Sequence, residues 1–98
     1  MNASIAIQVL PKVMEQEDTR RIVDEVISYL ASTGLHYVVG PFETTLEGDL
    51  DQLLDIVKEC CRICVSHGEP SMLAYVKISY KPGGVWTIDD KTGKYQNP

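Results

Sequence analysis

From Ser4 to Leu10 the chain alternates, with Ile5, Ile7 and Val9 on one side and Ser4, Ala6 and Gln8 on the other. That period of two predicts a strand with one face buried, and Pro11 ends it. From Asp18, read as an N-cap, Ile22, Val23, Val26, Ile27 and Leu30 recur at steps of three and four up to Gly34. The spacing predicts an amphipathic helix, and Gly34 suits the left-handed position after its end. "LHYVVGPFETTLEG" then predicts a strand at 35–40, a turn around Gly40-Pro41 and a second strand at about 43–47, together a hairpin. Asp49 and Gln52 form a variant capping box. Behind it Leu50, Leu53, Leu54, Val57, Cys61, Cys64 and Val65 predict a second helix running to about His67, closed by Gly68 and kept from resuming by Pro70. "SMLAYVKISY" is the last strand, with Ala74, Val76 and Ile78 facing one way and Tyr75, Lys77 and Ser79 the other. "KPGG", a short "VWTI" and a charged tail carry no clear period.

The order β-α-β-β-α-β predicts an α+β, ferredoxin-like sandwich: a four-stranded antiparallel sheet with two helices on one face, as a single domain over residues 1–98. The other face of that sheet is then open. With Leu46 turned inwards, it carries Thr45 and Glu47 beside Ser4, Ala6, Gln8, Tyr75, Lys77 and Ser79. An open sheet face meets water or another subunit. Tyr37, Phe42, Tyr75, Tyr80, Trp86 and Tyr95 gather in and after the strands, where they suit either interface packing or a pocket for a flat heteroaromatic ligand.

Charge narrows the partners. The 98 residues carry a formal charge of −5, which disfavours a sequence-independent nucleic-acid binder, because such a protein needs a basic face to displace counterions. No apolar run approaches the about 20 residues that cross a bilayer, and the first residues lack a basic region before a long apolar one. The expected location is cytoplasmic, with no membrane partner. Three cysteines lying close together do not resemble the even, dispersed framework of a small secreted domain, in keeping with a reducing compartment.

Those cysteines, in "KECCRICVSH", invite a chemical reading. Cys61 and Cys64 fall on the stripe of Leu50, Leu54 and Val57, with Cys60 on its flank beside Leu53. All three are therefore expected towards the core, as small apolar groups. A redox pair belongs at a helix N-terminus, where the backbone lowers a thiol pKa, and this C-x-x-C lies in the last turns. A zinc site from Cys60, Cys64 and His67 lacks a second cluster to complete a tetrahedron, leaving only His36, in a strand. There is no Ser-His-Asp ordering and no H-E-x-x-H. "PKVMEQED" places acids where the phosphate cradle of an acylphosphatase would need an Arg and free N–H groups.

One stretch is more specific. "GLHYVVGPFETTLEGDLDQLLDIVKEC" resembles the small thiamine-binding proteins of the YkoF-like superfamily, which carry a similar G-x-x-Y-x-x-G-P-x-x-T-x-x-E-G signature before an acidic helix. Its positions here are Gly34, Tyr37, Gly40, Pro41, Thr44, Glu47 and Gly48. The "VLP" strand end and "ISYKPGGVWTIDDKTGKY" also look like single-domain members, so the likeness spans nearly the whole chain. It implies a ferredoxin-like subunit that binds thiamine, or its hydroxymethyl-aminopyrimidine moiety, without catalysing a reaction, and that assembles as a homodimer or a tetramer of paired dimers. No cofactor or metal is implied. Motif membership and side-chain direction then nominate Tyr37, Phe42, Thr44, Thr45, Glu47, Gln8 and Trp86 as ligand contacts. Glu47 or Thr45 would hydrogen-bond the aminopyrimidine, and Tyr37, Phe42 or Trp86 would stack on it. A carboxylate would also favour the thiazolium cation, whereas Lys77 and Lys81 near the same face would favour a neutral pyrimidine. Gly40, Pro41 and Gly48 are expected to fix turns, and Gly83-Gly84 to bend the C-terminal segment towards a neighbouring subunit.

Overall fold

The computed structural model describes residues 1–13 and 15–96; Met14, within the "PKVMEQED" stretch, and the last two residues lie outside them. The elements are β1 (Ala3–Pro11), α1 (Gln16–Ser32), β2 (Tyr37–Val39), β3 (Thr44–Gly48), α2 (Leu50–Cys64), β4 (Met72–Tyr80) and α3 (Ile88–Gln96). The sheet runs β2-β3-β1-β4, antiparallel throughout. The alternation in β1 sets its register: Ile5 stands opposite Leu46 on one side and Ile78 on the other. Ala3, Ile5, Ile7 and Leu46 thus face α1 and α2, which supply Ile22, Val26 and Leu30, and Leu53, Ile56, Cys60 and Cys64. This is the ferredoxin-like sandwich expected from the sequence.

Several details differ. α1 begins two residues before Asp18, with Glu15 at the N-cap position and no side-chain cap bond. Asp18 lies in the first turn instead, where a carboxylate complements the helix dipole, and accepts a bond from Arg21 at 3.1 Å. The box at Asp49 does not form either. The Leu50 N–H donates to Asn2 Oδ1 at 2.9 Å, so the strand-leading residue of β1 satisfies one of the orphan donors of α2. The buried stripe of α2 runs through Leu53, Ile56, Cys60 and Cys64, leaving Leu54 and Val65 largely exposed. Two adjacent stripes were available, and packing of α2 onto both β1 and α1 selected this one. Cys61 is consequently only half-buried, not in the core.

The motif glycines have local reasons. Gly34 follows α1 at φ 79°, the left-handed conformation that side chains resist. A Cβ at Gly40 would lie 2.8 Å from the Glu43 carbonyl oxygen, to which the Gly40 N–H donates across the β2–β3 turn.

The tail is the main departure. Residues Ile88–Gln96 form α3, started by a reciprocal cap in which the Asp90 N–H donates to Thr87 Oγ1 and the Thr87 N–H to Asp90 Oδ2, both at 2.9 Å. Hydrogen bonds to the carboxylate from the Thr87 N–H and from the Thr87 side chain shift the Asp90 carboxyl below its ordinary value. Ile88, buried while Asp89 and Asp90 are exposed, pins the helix over one end of the sheet face that α1 and α2 leave open.

Candidate functional site

Beneath α3 lies a cavity of about 540 Å³, within the size range of small-molecule sites. Its floor is the open sheet face: Ser4 and Ala6 of β1, Thr45 of β3, Lys77 and Ser79 of β4. These residues meet because Ser4 pairs with Ser79, and Ala6 with both Thr45 and Lys77. His36 and Val38 form one wall, while Ile88, Asp89, Lys91 and Thr92 of α3 form the roof. Hydroxyls from floor and roof therefore converge on a slot that also holds Lys77, Asp89 and Lys91 and is open to solvent at its sides.

Glu47 holds that roof in place. It stands opposite Ser4 in the ladder and is 8% exposed, and its Oε1 accepts the Ile88 N–H at 2.8 Å. The first backbone donor of α3 is thus satisfied by a buried carboxylate from β3, a charge-assisted bond. His36 Nε2 lies 4.0 Å from the same oxygen. Glu47 is therefore engaged by the protein at the margin of the cavity, not presented freely into it.

Lys77 also has a partner. Its Nζ donates to Glu43 Oε1 at 3.3 Å, a bridge from the edge strand to the β2–β3 turn. The local repulsion of a cation expected from Lys77 is partly balanced by this carboxylate.

A second recess of about 310 Å³ adjoins the first, sharing Ser79 and Lys91, with Lys81, Gly84, Val85 and Trp86 completing it. Trp86 is 72% exposed. It sits on the segment that follows a turn closed by Gly84 N–H donating to the Lys81 carbonyl at 2.8 Å.

The nominated residues divide between these places. Thr45 lines the main cavity, Glu47 borders it and Trp86 belongs to the adjoining recess. Gln8, Phe42 and Thr44 instead line a separate groove of about 270 Å³ between the β2–β3 turn and α1, where Phe42 is 79% exposed. Tyr37 pairs with Leu46 and packs against the core from the helix-covered face. Strand parity separates Tyr37 and Thr44 from Thr45. The α3 residues Asp89, Lys91 and Thr92 were missed, since the tail carried no apolar period; the T-x-x-D cap at Thr87–Asp90 was the signal available.

The cysteines lie on the far side of the sheet. Burial pushes the Cys60 thiol up to about 12 and the Cys64 thiol up to about 11, opposite to the direction a nucleophile or metal ligand requires. Among the described residues, no group of three or more His, Cys, Asp or Glu is arranged to hold a metal ion, and no helix is long and apolar enough to cross a membrane.

Comparison with known proteins places the chain in a family. The model of the thiamine-binding protein family matches residues 5–96. A UPF0045 protein of Clostridium perfringens is 48% identical over 95 residues, covering 95% of this chain and 96% of that one. A solved structure from Bacillus cereus, a domain of unknown function of the DUF77 type, superposes with a TM-score of 0.88 at 37% identity, covering 99% of this chain and 92% of its own. A Thermotoga maritima protein provisionally assigned to thiamine biosynthesis or salvage gives a TM-score of 0.86 at 33% identity, with 98% and 100% covered. With the signature from Gly34 to Gly48 embedded in the β2–β3 hairpin and the match running through α3, the chain belongs to the thiamine-binding protein family.

Proposed function

We propose that this protein binds thiamine, or its hydroxymethyl-aminopyrimidine moiety, in the cavity between the open sheet face and α3, without chemical conversion. The role is storage, sensing or delivery in the cytoplasm. One observation carries the reading: in a chain of this family, a cavity of about 540 Å³ brings hydroxyls from Ser4, Thr45, Ser79 and Thr92 together with Asp89 between apolar walls at Val38 and Ile88. An aminopyrimidine offers an amine donor and ring-nitrogen acceptors, which the carboxylate and the hydroxyls complement. Its flat ring suits a slot between a sheet and a helix. Asp89 also favours the thiazolium cation. Of the nominated residues, Thr45 is then a direct contact, Glu47 acts through α3, and Trp86 flanks the entrance; Tyr37, Phe42, Thr44 and Gln8 act in shaping or in assembly.

Ala6→Leu tests the location, because it fills the floor between Thr45 and Lys77 without touching the core. Thermal-shift titration with thiamine is expected to show stabilisation of the unmodified protein and none of the variant, at an unchanged ligand-free midpoint. Equal stabilisation of both proteins would move the site elsewhere.

A homodimer or tetramer belongs to the same reading. β4 is a nine-residue edge strand, and Leu73 and Tyr75 are 67% and 62% exposed on its open-face side. Long unprotected edges of this kind invite pairing with another chain. An oligomer that binds neither thiamine nor its pyrimidine moiety would favour the alternative role, a purely structural assembly domain.

A further inference from the structure

We infer that the preferred ligand carries a phosphate monoester, so that the site takes a phosphorylated aminopyrimidine compound in preference to the free alcohol; this rests on the binding reading above. The two adjoining recesses differ in charge. The larger carries both signs, Asp89 with the buried Glu47 at its border against Lys91 at the junction and Lys77, which is paired to Glu43, so it can meet an amine donor with a carboxylate. The smaller contains Lys81 and Lys91 and no acidic side chain. Among the described residues neither lysine forms an ion pair. Two such lysines facing one recess leave a local positive field there, in a chain of net charge −5.

The two recesses meet at Ser79 and Lys91, which line both. A ligand with its ring in the larger recess thus extends its substituent past the Ser79 hydroxyl towards the two ammonium groups. A phosphate monoester supplies what these groups lack: oxygens for two charge-assisted bonds and a third from a hydroxyl. The backbone of Lys81 is fixed, since its N–H donates to the Asn2 carbonyl at 2.9 Å and its carbonyl accepts from Gly84. Trp86 lines the same recess.

Calorimetric titration with four probes tests this: hydroxymethyl-aminopyrimidine, its phosphate, thiamine and thiamine monophosphate. Each phosphate ester is expected to bind about ten-fold more tightly than its alcohol at low salt, with the advantage shrinking as salt rises. Lys81→Ala, at a residue that lines the smaller recess and not the larger one, should lose most of that advantage while retaining affinity for the alcohols; Lys58→Ala, the same kind of charge change on a remote exposed face, should retain it. Esters binding no tighter than alcohols, or an advantage that survives Lys81→Ala undiminished, would overturn the inference while leaving the binding reading intact. Binding by none of the four would overturn both.

Discussion

Glu47 illustrates how a single residue links signature to site. As a sequence position it reads as a ligand contact; in the fold its carboxylate is buried and spends one oxygen on the first N–H of α3. Glu47→Ala is expected to cost about 1.5–3 kcal/mol, the scale of a hydrogen bond to a charged group, and to release α3 first. Hydrogen exchange should accordingly accelerate in residues 88–96 while β1 keeps its protection; uniform acceleration throughout the chain would contradict the anchoring role. The thiols define a second residue-scale outcome. Cys60 and Cys64 are protonated in the fold up to about 12 and about 11, against 9.0 for an unperturbed thiol. Between those values the unfolded chain has lost protons that the native one retains, so stability falls as pH rises. The melting temperature should therefore gain a thiol-dependent decline above about pH 9 that is absent below it, and which is reduced in Cys60→Ala. At pH 8 a thiol reagent should modify half-buried Cys61 well before the other two; equal rates for all three would place Cys60 and Cys64 outside the core.

The elements differ in how far the sequence disclosed them. β1 and β4 were legible because one buried face forces alternation, and α1 and α2 because each buries a stripe. Parity alone put Thr45 and Glu47 on the open face. α3 was not legible by the same means: in "IDDKTGKY", residues 88–95, only Ile88 is buried, so no period exists to detect, and what starts the helix is the Thr87–Asp90 cap and what holds it is Glu47, 41 residues earlier in sequence. Half of the cavity was thereby hidden, since its roof is α3. Long-range capping misleads in the same way at α2, where Asp49 occupies the cap position yet Asn2 makes the bond. Asn2→Ala should destabilise the protein by about 0.5–2 kcal/mol, as cap removal does, and Asp49→Ala by less. Chemical denaturation of the two variants checks the order, and the reverse order would restore Asp49 as the effective cap.

At the scale of the whole molecule, a ferredoxin-like sandwich places its core on one side of the sheet and leaves the other free for a ligand. This chain separates the two. The apolar work is done by Ile5, Leu46, Leu53 and their neighbours under α1 and α2, while the small and hydroxylated residues on the opposite face, roofed by α3, cost the core nothing. The sheet order also leaves β4 as a long edge, the natural place for a second copy to join. The central claim is that this second face binds a thiamine-related molecule, and calorimetric titration of the unmodified protein with thiamine and with hydroxymethyl-aminopyrimidine tests it most directly. Saturable binding of at least one, at a stoichiometry of one per chain or one per dimer, is the predicted result. No heat from either ligand, from a protein whose fold and assembly are intact, would contradict it.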